Sequence, residues 1–125
     1  MLIVSRPKLF PDNWIYIHDP SVKVGRIENY NNWTREMVSR PDVTCLELEY
    51  FCNKNSDLWR MADPEIINLA KSELEQLRLA KGAEVIDGCV VRVEKAYPVQ
   101  DSNYRSNVDI IRQAMARLKN LQTIG

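Results

Sequence analysis

The sequence predicts an α+β fold: a largely antiparallel sheet with two helices packed on one face. Three observations predict it. Several short runs rich in β-branched and aromatic residues are bounded by Pro, Gly, Asn and Asp, as strands are. Two longer stretches carry apolar residues at helical spacing behind capping residues. The runs fall in the order strand, strand, strand, strand, helix, strand, helix, strand-like end, without repeats, low complexity or linkers, which suits one domain over 1–125.

Met1-Leu2-Ile3-Val4 reads as the first strand, followed by a proline-punctuated loop from Ser5 to Asp12. Trp14 to His18 is an aromatic and β-branched strand closed by the turn Asp19-Pro20-Ser21. Val22 to Tyr30 is its hairpin partner, interrupted by Gly25, where a bulge or a close approach is expected. Asn29 to Trp33 is a polar, aromatic loop, and Thr34 to Asp42 is a connection. Thr44 to Cys52 alternates strictly: Thr44, Leu46, Leu48 and Tyr50 share one face, and Cys45, Glu47, Glu49 and Phe51 the other. Glu47 and Glu49 suit a solvated strand face better than an acid–base pair. Asn53 to Ala62 is a loop with Trp59 and Met61 as core plugs.

Asp63-Pro64-Glu65 is a helix start, with Asp63 as N-cap and Pro64 in the first turn. Ile66, Ile67, Ala70, Leu74 and Leu77 form one stripe, and Lys81-Gly82 supplies the stop. Asp87-Gly88 reads as a turn or bulge ahead of a strand through Cys89–Gln100, which ends where Pro98 forbids a ladder bond and stiffens the backbone at Tyr97. Asp101-Ser102-Asn103 caps the second helix. Its stripe Tyr104, Val108, Ile111, Met115 and Leu118 is the cleanest amphipathic signal in the chain. Lys119-Asn120 ends it, and Leu121 to Gly125 is strand-like.

Composition narrows the function classes. The hydrophobic fraction is 45% and the charged fraction 27%, those of a globular chain, and 17 basic residues balance 17 acidic ones, leaving no basic excess for a nucleic acid. No apolar run is long enough for a membrane span, and Met1 to Val4 is too short for a signal-peptide core. Cys45, Cys52 and Cys89 form no C-x-x-C pair; they read as reduced thiols packed as small hydrophobes, which implies a cytoplasmic protein. With His18 as the single histidine, no metal-ligand spacing exists, and a His beside Asp19 suits a turn better than a general base. There is no phosphate-binding glycine loop and no nucleophile motif.

The segments Phe10 to Pro20, Val24 to Trp33, Leu48-Glu49-Tyr50-Phe51, Lys95-Ala96-Tyr97-Pro98-Val99 and Asn120 to Gly125 together resemble the substrate-domain segment of FAD-dependent amine-oxidase-type oxidoreductases. They are most similar to the protoporphyrinogen-oxidase-like and UDP-galactopyranose-mutase-related groups. The resemblance implies a substrate-binding lobe whose FAD is held by a further domain of the same polypeptide. The lobe alone would bind no cofactor and would be inactive. It also implies that Arg26, Asn29, Tyr16 and Tyr97 meet a small-molecule substrate, and that Tyr97 and Pro98 lie near the flavin. An arginine there would suit an anionic substrate group. A nucleotide-sugar mutase and a freestanding interaction module are the alternatives.

Overall fold

A computed structural model of the chain describes residues 1–122 and Ile124. It gathers into two compact units, 1–92 and 93–125.

The first unit is built on a five-stranded sheet of β1 (Leu2–Val4), β2 (Trp14–Tyr16), β3 (Arg26–Asn29), β4 (Thr44–Glu49) and β5 (Val85–Gly88), in the order β2-β3-β4-β1-β5. Every pairing is antiparallel. The β2–β3 hairpin forms as expected, in the register Trp14↔Glu28, Ile15↔Ile27, Tyr16↔Arg26. Its connection is set by Asp19, whose carboxylate accepts from the Ser21 amide at 2.9 Å and the Ser21 hydroxyl at 2.6 Å. These bonds hold the Asp19 carboxyl below its usual range. Gly25 marks a close approach: a Cβ there would lie 2.7 Å from the Phe51 ring.

Strand alternation sends Leu2, Val4, Ile27, Leu46, Leu48 and Val85 to one face, where α3 (Asp63–Gln76) covers them with Ala70 and Leu74. Leu74 is fully buried, and burial of such a side chain contributes about 1.5–3 kcal/mol before conformational entropy. Helix α3 begins one residue earlier than its sequence signal. Ala62 takes the N-cap position, and Glu65 accepts from the Ala62 amide at 2.9 Å. The helix also ends before Lys81-Gly82. Arg78 adopts φ 59°, the Arg78 amide donates to Glu75 O at 3.0 Å, and the Leu79 amide donates to Leu74 O at 3.0 Å. That is a Schellman stop with arginine where glycine is favoured.

Further expectations are corrected. The strand through Cys89–Gln100 does not form: the ladder runs over Val85–Gly88 and closes with a bond pair between Met1 and Cys89. Of the turn or bulge expected at Asp87-Gly88, the turn does not form: Gly88 pairs with Leu2 inside β5, the β1–β5 register shifts between Ile3 and Val4, and a Cβ at Gly88 would meet Leu2 Cδ2 at 2.8 Å. Beyond it, Arg92 anchors the chain by side-chain bonds to Trp59 O (3.1 Å), Met61 O (2.6 Å) and Asp63 (2.6 Å), in place of a backbone ladder. Val91, Val93 and Tyr97 are exposed. Trp59 and Met61 are half-buried beside that anchor rather than plugs of the core. Of the cysteines, all free, only Cys45 is buried; Cys52 and Cys89 are exposed, not packed as expected.

Two short helices, α1 (Tyr30–Trp33) and α2 (Asp57–Arg60), complete the first unit. The second unit holds α4 (Tyr104–Met115), which starts just after the expected cap but ends short of Lys119 and buries none of its residues. The antiparallel sheet and its helices bear out the α+β fold expected from the sequence. Of the strand-like end, Thr123 and Gly125 lie outside the described residues, and Leu121, Gln122 and Ile124 have no regular structure. No helix among the described residues is long and apolar enough to cross a membrane.

Candidate functional site

The register that buries Ile27 and Leu48 turns the alternate residues to the outer face of the sheet. Two rows result. Trp14, Glu28 and Glu47 stand side by side across β2, β3 and β4, and Tyr16, Arg26 and Glu49 form the next row. Helix α1 follows β3 directly, and its Trp33 stacks on Trp14 with ring centroids 5.2 Å apart. The outer face is thus a patch of aromatic rings around three carboxylates and one guanidinium.

Arg26 is the electrostatic hinge of this patch. Its Nη2 lies 2.6 Å from Glu49 Oε1 and 3.6 Å from Glu28 Oε1. Its Nη1 donates to Tyr16 Oη at 3.4 Å, and the guanidinium lies 5.7 Å from the Tyr16 ring centroid. One cation does not satisfy three anions. Glu28 is held above the ordinary glutamate range, first because it is partly withdrawn from water and next because Glu47 and Glu49 lie close; Arg26 opposes the shift. Glu47 accepts a hydrogen bond from the Tyr30 hydroxyl. Burial, then that bond, pushes the Tyr30 phenol well above its usual range.

The residues expected to touch substrate are distributed unequally. Arg26 and Tyr16 are brought together on the outer face. Asn29 points the other way, opposite Leu46 and 1% exposed. Its side chain donates to Phe10 O at 3.3 Å and accepts from the Asn31 amide at 3.2 Å, capping α1. Asn31 likewise ties Val43 O to the Cys45 amide, and Asn32 ties Phe10 O to Asp12 O. The stretch expected to be a loop is the end of β3 and helix α1, and its asparagines form a frame that aims Tyr30 and Trp33. Tyr97 and Pro98 belong to the second unit, both exposed.

Two residues of consequence escape a reading of the sequence. Glu28 joins the Glu47–Glu49 pair only through the β3–β4 register, although its period-two spacing from Arg26 is visible. Glu73, 4% exposed, accepts from the Lys23 amide (2.7 Å), the Val24 amide (3.1 Å) and the Tyr50 hydroxyl (2.9 Å). Its position on the apolar stripe, between Ala70 and Leu77, was the available signal. Burial and the Glu73 bond push the Tyr50 phenol well above its usual range. Among the described residues, no group of three His, Cys, Asp or Glu side chains could hold a metal ion.

No protein-family model, curated protein or solved structure matches this chain.

Proposed function

We propose that the chain is the substrate-binding lobe of a larger FAD-dependent oxidoreductase. The observation that carries this is the apolar surface left uncovered within the second unit. Val93, Tyr97, Val99, Ile110 and Ile111 are all at least 55% exposed. Such a density of exposed apolar side chains marks a surface that another layer covers. A flavin-holding domain of the same polypeptide is that layer in this proposal. FAD, held there, supplies the redox chemistry, and this lobe orients the substrate.

Each unit offers an exposed phenol of its own for substrate contact: in the first, Tyr16, whose ring faces Arg26, and in the second, Tyr97, stiffened by Pro98. Arg26 and Asn29 act one step back, Arg26 by holding Tyr16 and Asn29 by capping α1. Three carboxylates beside one guanidinium would repel a diphosphate, which favours the oxidoreductase over the nucleotide-sugar mutase. Free thiols at Cys45, Cys52 and Cys89 support a cytoplasmic setting.

The test is purification of the whole reading frame that carries this segment, beside residues 1–125 alone. The frame should purify yellow with bound FAD, and Tyr97→Phe should raise its KM; residues 1–125 should be colourless. A frame that purifies without flavin, or flavin retained by residues 1–125, overturns the proposal.

A further inference from the structure

The row Trp14, Glu28, Glu47 has a property the substrate-lobe reading does not use. Trp14 and Trp33 stack on each other, yet remain 44% and 47% exposed. Two indoles left half in water on a sheet face have the composition of an interface hot spot. Beside them, Glu28, Glu47 and Glu49 set three carboxyl groups against the one guanidinium of Arg26. The Glu28 and Glu49 side chains are only 19% exposed, so water screens this excess incompletely. A cation brought to the face would meet both an unbalanced anion cluster and electron-rich ring faces.

Charge decides among occupants. A nucleic acid or an anionic membrane would be repelled by the carboxylates. We infer that the outer face, centred on Trp14, Trp33, Glu28 and Glu47, docks a protein segment that presents lysine or arginine side chains among apolar ones. This does not rest on the flavoenzyme proposal. Flavin content is read by colour, docking by the tryptophan signals, so each can fail alone.

The experiment is an NMR titration of the chain labelled at its tryptophan indoles. The probes are the peptide Arg-Leu-Lys-Ser-Leu-Arg and its charge-reversed counterpart Glu-Leu-Asp-Ser-Leu-Glu. The basic peptide should shift the Trp14 and Trp33 indole signals saturably and leave Trp59, on α2, in place. Added salt should weaken the binding. The paired substitution Glu28→Gln, Glu47→Gln should weaken it about tenfold or more, as loss of interfacial charge pairs does. Trp33→Ala, at an exposed position, should abolish it while the spectrum keeps its dispersion. The inference is overturned if neither indole shifts saturably, if the acidic peptide binds equally well, or if a folded Trp33→Ala variant binds as the parent does.

Discussion

Helices α3 and α4 make an instructive pair. In sequence, α4 has the cleaner stripe, stepping by four and three from Tyr104 to Leu118, whereas α3 carries Glu73 in the middle of its apolar face. In the structure the ranking inverts. Helix α3 buries Ala70, Glu73 and Leu74, and α4 buries nothing. Amphipathicity measures what a helix is able to bury; burial itself depends on a facing surface. The sheet offers α3 that surface, and it also offers Glu73 two amides and a phenol, which turn a buried charge from a liability into a joint.

That contrast can be broken or sharpened by substitution. The largest effect belongs to Leu74→Ala, which should destabilise the chain by about 2–5 kcal/mol, the usual range for a fully buried leucine. Urea unfolding measures it, and a loss under about 1 kcal/mol would mean that α3 does not seal the core. Glu73→Ala comes next. It strands the Lys23 and Val24 amides and the Tyr50 hydroxyl, and should cost about 2–4 kcal/mol. An unchanged midpoint would show the three donors find other partners.

Arg78→Gly should move stability the other way. Relief of the left-handed backbone at φ 59° should add about 0.5–1 kcal/mol, net of the extra freedom glycine gives the unfolded chain. A lower melting temperature would contradict the Schellman geometry. Ile111→Ser, the α4 counterpart of Leu74→Ala, should change stability by less than about 0.5 kcal/mol, as exposed substitutions do. A large loss would mean the α4 stripe is covered within this chain.

The smallest effect is a pH dependence. The folded-state pKa of Glu28 is raised, so the folded chain binds its proton more tightly than the unfolded chain does. Stability from this group is greatest below the unfolded value, near pH 4.5, and is lost as pH rises through the folded value. Glu28→Gln removes that loss. Its melting temperature should exceed the parent's slightly at neutral pH, with the gap closing as pH falls towards 4.5. A gap that widens on acidification would reverse the sign and remove the crowding described for the outer face.

Much of the first unit was legible in the sequence because its signals are local. Alternation placed β4 and its two faces correctly, the aromatic run and the Asp19 turn placed the β2–β3 hairpin, and the stripe placed α3. Cys89–Gln100 misled because β-branched alternation states a preference for a sheet without naming a neighbour. Gly88 reads as a turn or bulge in isolation, and only the Leu2 side chain opposite it explains glycine inside a strand. The candidate face was half visible. Glu47 and Glu49 announce themselves on one strand, but Glu28, Arg26 and Trp14 join them only through cross-strand register, which no local pattern encodes. Asn29 looks like a site residue by composition and is a cap by geometry.

The Glu73 joint has a mechanical consequence. A single carboxylate on α3 grips the backbone just before β3 at Lys23 and Val24, and Tyr50 just after β4. Peeling the helix away would free all three donors at once, and pulling out the hairpin would leave an anion facing hydrocarbon. Neither piece can therefore leave ahead of the other at low energy, so helix, hairpin and central strand should come apart in one step.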